Sequence, residues 1–292
     1  MIPIDEYGRH GRPEVSPAIE IDQGARWDEM YREKPSDRLS WFQEHPSLSL
    51  HLITDAAPNR DARIIDVGGG DSLLVDHLLE RGYRHITVLD ISGSAIERTQ
   101  SRLGSRADPV RWVVGDVLTT GEIGMYDVWH DRALFHFLIE PQQRQQYVEA
   151  VTRTVVPQGT VIIATFAPDG PPRCSGLGVR RYDERSLAAE LGESFALVKA
   201  VREAHLTPWD VEQQFAYASF RKLARARPSL PCLCRGTTVM LRRESRRSRR
   251  SPGLARTHNI CACRSGVWRR ALHRRCRSEA AVDVDHVGGS RP

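Results

Sequence analysis

The chain has 292 residues, 40% of them hydrophobic, enough to bury one core of ordinary domain size. No apolar run approaches the ~18 residues of a membrane-spanning helix. The N-terminal MIPIDEYGRHGRPE has no basic stretch followed by an apolar one, so no secretory signal is read and the cytoplasm is the expected location. The formal charge of +5 divides unevenly: residues 231–292 hold 15 Arg, no Lys and 4 acidic residues, leaving residues 1–230 at a net −6, which argues against a broad nucleic-acid surface on the main body.

Residues 1–24 lack periodicity and read as a flexible lead-in. Residues 25–56 carry helix-like patterning in ARWDEMYREK and SWFQEHPSLSLHLITDA. Pro35 separates two short helices there, and Pro46 breaks the second. An alternation of strand and helix follows. Ala62–Val67 and Ile86–Asp90 read as buried strands. Ser72–Arg81 and Ser94–Leu103 read as helices that stop near Gly82 and Gly104. Arg111–Val114, Tyr126–His130 and Thr160–Phe166 are further strands. Gln142–Val156 is a helix with Pro141 suited to its first turn. Residues 168–181 form a turn-rich loop, and Asp183–Leu191 is a short helix. Ala196–Ala204 and Gln213–Phe220 are strands joined too closely for a helical crossover, hence antiparallel neighbours. The alternation predicts a mostly parallel sheet covered by helices.

After Lys222 this organisation stops. The 223–292 segment is Arg-rich and carries Cys232, Cys234, Cys261, Cys263 and Cys276. It reads as a disordered basic tail or as misread coding sequence. Its C-x-C pairs are weak zinc signals beside the usual wider spacing, so no metal is assigned. RRESRRSRR can attract polyanions without sequence preference.

The stretch RIIDVGGGDSLLVDHLLERGYRHITVLDIS carries the chemistry. Gly68, Gly69 and Gly70 follow a buried strand and allow a tight turn with close ligand approach. The next helix presents free N–H groups beside them. Asp90 ends the following strand about 20 residues on, where a carboxylate can accept from both ribose hydroxyls. A nicotinamide dinucleotide site needs a third glycine where Leu73 stands, and Asp71 adds negative charge near the pyrophosphate position. Both features disfavour that reading.

Asp66-Val67-Gly68-Gly69-Gly70 resembles motif I of the class I S-adenosylmethionine-dependent methyltransferases. The resemblance spans roughly Trp27–Lys222, within a 25–222 methyltransferase domain whose N-terminal helices form a lid. It implies a three-layer, Rossmann-like α/β fold with a seven-stranded, mostly parallel sheet and an antiparallel terminal strand. It further implies that Asp66 orients the methionine portion and Asp90 binds ribose. Asp116 would meet the adenine amine, while Ile91 and Val117 flank the ring. Trp27 and Tyr31 would cover the cofactor, and His130 would lie at its edge.

Candidates for proton transfer are His130, Asp131 and His136 in YDVWHDRALFHF, with Arg132 as an alternative anion partner. Cys174, Arg180, Arg181, His205, Trp209, Gln213 and Gln214 are substrate-side candidates. Trp129-His130-Asp131-Arg132 stands in place of an Asn-Pro-Pro-Tyr-like tetrapeptide, and residues 25–222 hold no Pro-Cys nucleophile of the cytosine type, which disfavours DNA bases as acceptors. The expected activity is methyl transfer from S-adenosyl-L-methionine to a small molecule or protein side chain. A non-catalytic S-adenosylmethionine-binding or regulatory protein of the same fold is the alternative. The acceptor is unidentified, and neither a membrane nor a specific nucleic-acid partner is expected for the core.

Overall fold

A computed structural model of the protein describes residues 22–224. Most of the 1–24 lead-in and nearly all of the 223–292 segment, including its cysteines and basic run, lie outside the described residues.

The sheet has seven strands in the order β3-β2-β1-β4-β5-β9-β8. These are β1 (Arg63–Val67), β2 (His85–Asp90), β3 (Arg111–Val114), β4 (Tyr126–Arg132), β5 (Val155–Phe166), β8 (Phe195–Leu206) and β9 (Glu212–Lys222). β1 pairs in parallel with both β2 and β4, and β4 pairs in parallel with β5. β9 runs antiparallel to both β5 and β8. This is the sheet expected from the sequence, with the reversed strand lying between β5 and β8.

The central strands are apolar on both sides because helices cover both faces. Alternate residues enter different clusters. Ile64, Val128 and Ile162 pack with Leu50, Ile53, Leu74 and Leu78. Ile65, Trp129 and Ile163 pack with Tyr147, Val151 and Leu187. The helices are α1 (Gln23–Glu33), α2 (Ser47–Ala56), α3 (Leu74–Glu80), α4 (Gly93–Leu103), α5 (Pro141–Thr154) and α6 (Glu184–Leu191). Pro141 takes the first turn of α5, where its missing N–H costs nothing.

Several expectations need correction. Trp41 and Phe42 are not helical. They sit between a single turn at Ser36–Arg38 and α2, and Pro46 precedes that helix rather than breaking it. α3 starts later than Ser72, because Ser72 N–H closes a turn onto the Gly69 carbonyl and its Oγ accepts from Leu74 N–H. β5 begins at Val155 and passes through a register shift that includes Gln158 at φ +66°. The 168–181 loop contains a small hairpin, β6 (Arg173–Cys174) with β7 (Leu177–Gly178).

Strand order reverses at β1, whose neighbours β2 and β4 lead away in opposite directions. Ligands of open α/β sheets bind beyond the carboxyl ends of the strands at such a point. Among the described residues, no helix is long and apolar enough to cross a membrane.

Candidate active site

A cavity of about 410 Å³ opens at that sheet edge, within the usual size of small-ligand sites. Its walls include Gly68 after β1, Asp90 at the end of β2 with Ile91 after it, and Asp116 and Val117 after β3. Trp27 and Tyr31 come from α1. Seven of the eleven anticipated cofactor residues therefore share one cavity. Asp66, Gly69 and His130 line a smaller adjoining hollow, which Gly68 also borders.

The glycine loop is shaped by what surrounds it. Gly68 has φ +69° and Gly70 has φ +47°, a region that penalises other residues. A Cβ on Gly70 would stand 2.6 Å from Tyr31 Oη and 2.9 Å from Asp90 Oδ2. One on Gly69 would stand 2.6 Å from Asp66 Oδ2. The loop thus lies directly against the side chains of Tyr31, Asp90 and Asp66.

Asp66 and His130 are register partners on neighbouring strands. His130 Nδ1 donates to Asp66 Oδ1 at 2.7 Å, and its Nε2 lies 2.9 Å from Ser49 Oγ on α2. All three are buried. Asp90 Oδ1 accepts from Ser92 N–H at 2.8 Å. Burial pushes the Asp90 carboxyl up to about 7, and the charges of Asp66 and Asp28 push the same way. Capping of α4 falls to other groups. Ser92 Oγ accepts from Ala95 N–H, and Asp28 accepts from Ser92 Oγ–H and Ser94 N–H. Asp28 thereby docks α1 over the site. Asp116 Oδ1 accepts from Leu118 N–H at 2.9 Å, which holds the β3 loop.

The three proton-transfer candidates do not line the main cavity. His130 is held between Asp66 and Ser49. Asp131 faces the other side of the sheet, accepting from Leu134 and Phe135 N–H and, at 2.6 Å, from Tyr147 Oη. Burial raises its carboxyl to about 6. These bonds fix the turn in which Ala133 has φ +72°. His136 is wholly buried in a single turn, and its Nδ1 accepts from Phe166 N–H. Burial, then the Arg132 charge, hold it down at about 3. Each is committed to the fold by burial and bonding.

Arg132 does reach the cavity. Its Nε donates to Tyr217 Oη and its Nη1 to the Trp41 carbonyl, and the guanidinium lies 4.5 Å from the Phe215 ring centroid. Glu203 stands 3.9 Å away. Cys174 also lines the wall, with its thiol raised to about 11 by burial. Arg180, Arg181, His205, Trp209, Gln213 and Gln214 do not line it. His205 Nε2 meets the Ser40 carbonyl at 2.8 Å, and Arg180 pairs with Glu190.

Sequence reasoning gave Asp71 the wrong electrostatic role. Its side chain is buried between Arg102 at 2.6 Å and Arg98 at 3.1 Å, so it places no free negative charge at the loop. The signal was present: Arg98 and Arg102 stand four residues apart and share one face of α4. Phe137, Leu134 and Leu177 are cavity residues that the sequence did not single out. Long-range folding brings them there, and no local pattern marks them.

Residues 64–159 match the family model described as a methyltransferase domain. Over 116 residues the chain is 28% identical to the eEF1A lysine and N-terminal methyltransferase of Danio rerio, covering 39% of this chain and 16% of that relative's length. A SAM-dependent methyltransferase from Anabaena variabilis superposes with a TM-score of 0.54 at 15% identity, covering 68% of this chain and 94% of its own. A structure concerned with converting a disulfide bond into a thioacetal group during echinomycin biosynthesis gives a TM-score of 0.58 at 18% identity. It covers 70% of this chain and 93% of that one. The sheet order, the switch-point cavity and these likenesses identify residues 22–224 as having the class I S-adenosylmethionine-dependent methyltransferase fold.

Proposed function

We propose that the protein binds S-adenosyl-L-methionine and transfers its methyl group to a small molecule or protein side chain. One observation carries this reading: Gly68, Asp90 and Asp116, far apart in the chain, converge on one 410 Å³ cavity. The residues fit the cofactor. Gly68 and Gly70 leave room where any side chain would collide with Leu134, Tyr31 or Asp90. Asp90, as a carboxylate, accepts from ribose hydroxyls. Asp116 accepts from the adenine amine, with Ile91 and Val117 flanking the ring.

The cofactor supplies an electrophilic methyl on a positive sulfur. The chain's task is to hold donor and acceptor in line and exclude water, which lowers the barrier by positioning. α1, docked by Asp28, closes the cavity from above, and Arg26 ties it to the β6–β7 hairpin through the Ser175 carbonyl at 3.1 Å. Because His130, Asp131 and His136 are bound within the fold, the acceptor enters with its lone pair available or loses its proton to water. This favours thiols and weakly basic amines over alcohols.

Calorimetric titration tests the reading. S-adenosylmethionine should bind the folded protein and NAD should not. No S-adenosylmethionine binding to folded protein would overturn it. A panel of thiol, amine and acidic acceptors then separates an enzyme from a binding protein.

A further inference from the structure

The seven-stranded sheet has two unequal edges. β3 closes one with 4 residues, whereas β8 closes the other with 12. A long edge strand offers a row of unpaired N–H and C=O groups to another strand, so folded chains usually keep such edges short or covered. Within the sheet β8 pairs only with β9. Its outward row, Ala200, Arg202, Ala204 and Leu206, is exposed throughout.

The same hairpin gathers apolar surface. Among the described residues, most of the exposed large hydrophobic side chains lie on it or directly after it: Leu197, Val198, Leu206, Trp209, Val211 and Leu223. They fall at its two ends. Leu197 and Val198 lie near the start of β8, where Leu223 N–H also bonds to the Ser194 carbonyl. Leu206 ends β8, and Trp209 and Val211 stand in the turn beyond it. Two copies laid antiparallel along β8 bring the first end of each onto the second end of the other, so the edge is complementary to itself.

Charge selects how such copies align. A two-fold axis normal to the sheet passes between a residue and its own copy, which fixes every other facing pair. With the axis at Val201, Lys199 faces the partner's Glu203 and Arg202 faces the partner's Ala200. With the axis one residue later, Arg202 would face the partner's Arg202. Only the centre at Val201 sets a Lys or Arg of β8 opposite an acid of β8, and opposite charges facing across strands stabilise while like charges destabilise.

We propose that the β8 edge is a self-association surface, at which two copies of this chain pair their β8 strands antiparallel about Val201 and join their sheets into one. This contact is independent of what the cavity binds.

Sedimentation equilibrium of the full chain over about 1–100 μM tests it, and wild type should form a dimer. Ala200 is exposed and lies outside the cavity, so changes there report on the edge. Ala200→Glu sets a carboxylate opposite the partner's Arg202, twice in the symmetric contact, and should tighten the dimer about tenfold; Ala200→Lys sets like charges there and should weaken it by about the same factor. A wild type that stays monomeric across the range would overturn the pairing. So would a dimer whose dissociation constant is unchanged in the two variants, or moves the same way in both.

Discussion

Asp66 and His130 sit opposite each other on β1 and β4, joined at 2.7 Å, and Ser49 closes the far side of the imidazole. The pair ties the strand before the glycine loop to the strand that carries Arg132 and the turn beyond it. His130→Ala would strand a buried carboxylate, so a loss of about 3 kcal/mol in unfolding free energy is expected. Ser49→Ala should cost about 1 kcal/mol. Urea unfolding of the two variants beside wild type measures both. Equal and negligible losses would show that the pair does not brace the sheet edge.

The Asp90 carboxyl, raised to about 7 from an ordinary 3.8, predicts a pH dependence. The folded chain holds this proton more tightly than the unfolded chain. Asp90 therefore subtracts stability as pH rises from about 4 to 7. Ribose recognition needs the charged acceptor, so S-adenosylmethionine affinity should rise across about pH 6 to 8 and then level. Asp90→Asn should weaken binding by about tenfold or more and flatten that rise. Titrations at several pH values decide it, and an unchanged profile in the variant would remove Asp90 from the site.

His136 works in the opposite sense. Its proton affinity is lowered to about 3 on folding, so the unfolded chain binds the proton first. Stability should fall as pH drops from about 6.5 toward 3, and a variant without an ionisable side chain should lose less. His136→Gln is predicted to narrow the gap in urea midpoint between pH 7 and pH 4.5. Other carboxyl groups titrate in both proteins, so the difference between the two gaps is the quantity to read.

Two glycines with similar φ, +47° at Gly70 and +57° at Gly104, should respond differently. Gly70→Ala places a methyl against Tyr31 and Asp90, whereas a Cβ on Gly104 meets nothing within 4 Å. Both substitutions carry the cost of positive φ, about 1 kcal/mol. Only Gly70→Ala should also weaken cofactor binding, by about tenfold or more. Comparable binding in the two variants would contradict the close approach at Gly70.

Asp71 should prove structural. Its side chain is buried against Arg98 and Arg102. Asp71→Ala leaves two cations without their shared partner and should cost about 3 kcal/mol, measured by thermal or urea unfolding. A double-mutant cycle with Arg102→Ala should show that much of this loss is shared.

The strand–helix alternation was legible because each buried strand is a short apolar run closed by a turn signal. The glycine loop, Asp90 and Asp116 were legible because strand ends in a parallel sheet fall on one edge. The front segment was harder. Trp41 and Phe42 have helical spacing, but Pro35, Pro46 and the docking of Trp41 against α1 leave them in a turn. In YDVWHDRALFHF the tertiary partners were not legible. His130 and Asp131 are neighbours on β4 and so face opposite sides of the sheet, while His136 lies in the turn after the strand.

By itself, then, the sequence determined the fold class and the order of the main elements. These follow from periodicity and turn chemistry, which act over a few residues. Only the tertiary structure decided which polar groups remain available. His130 meets Asp66 and Ser49, Asp131 meets Tyr147, and Asp71 meets two arginines of α4. The cavity likewise gathers Trp27 and Tyr31 from α1, Trp41 from its turn and Phe137 from the segment after β4. Partners so distant in the chain leave no local pattern, because burial and pairing are set by the packing of whole elements.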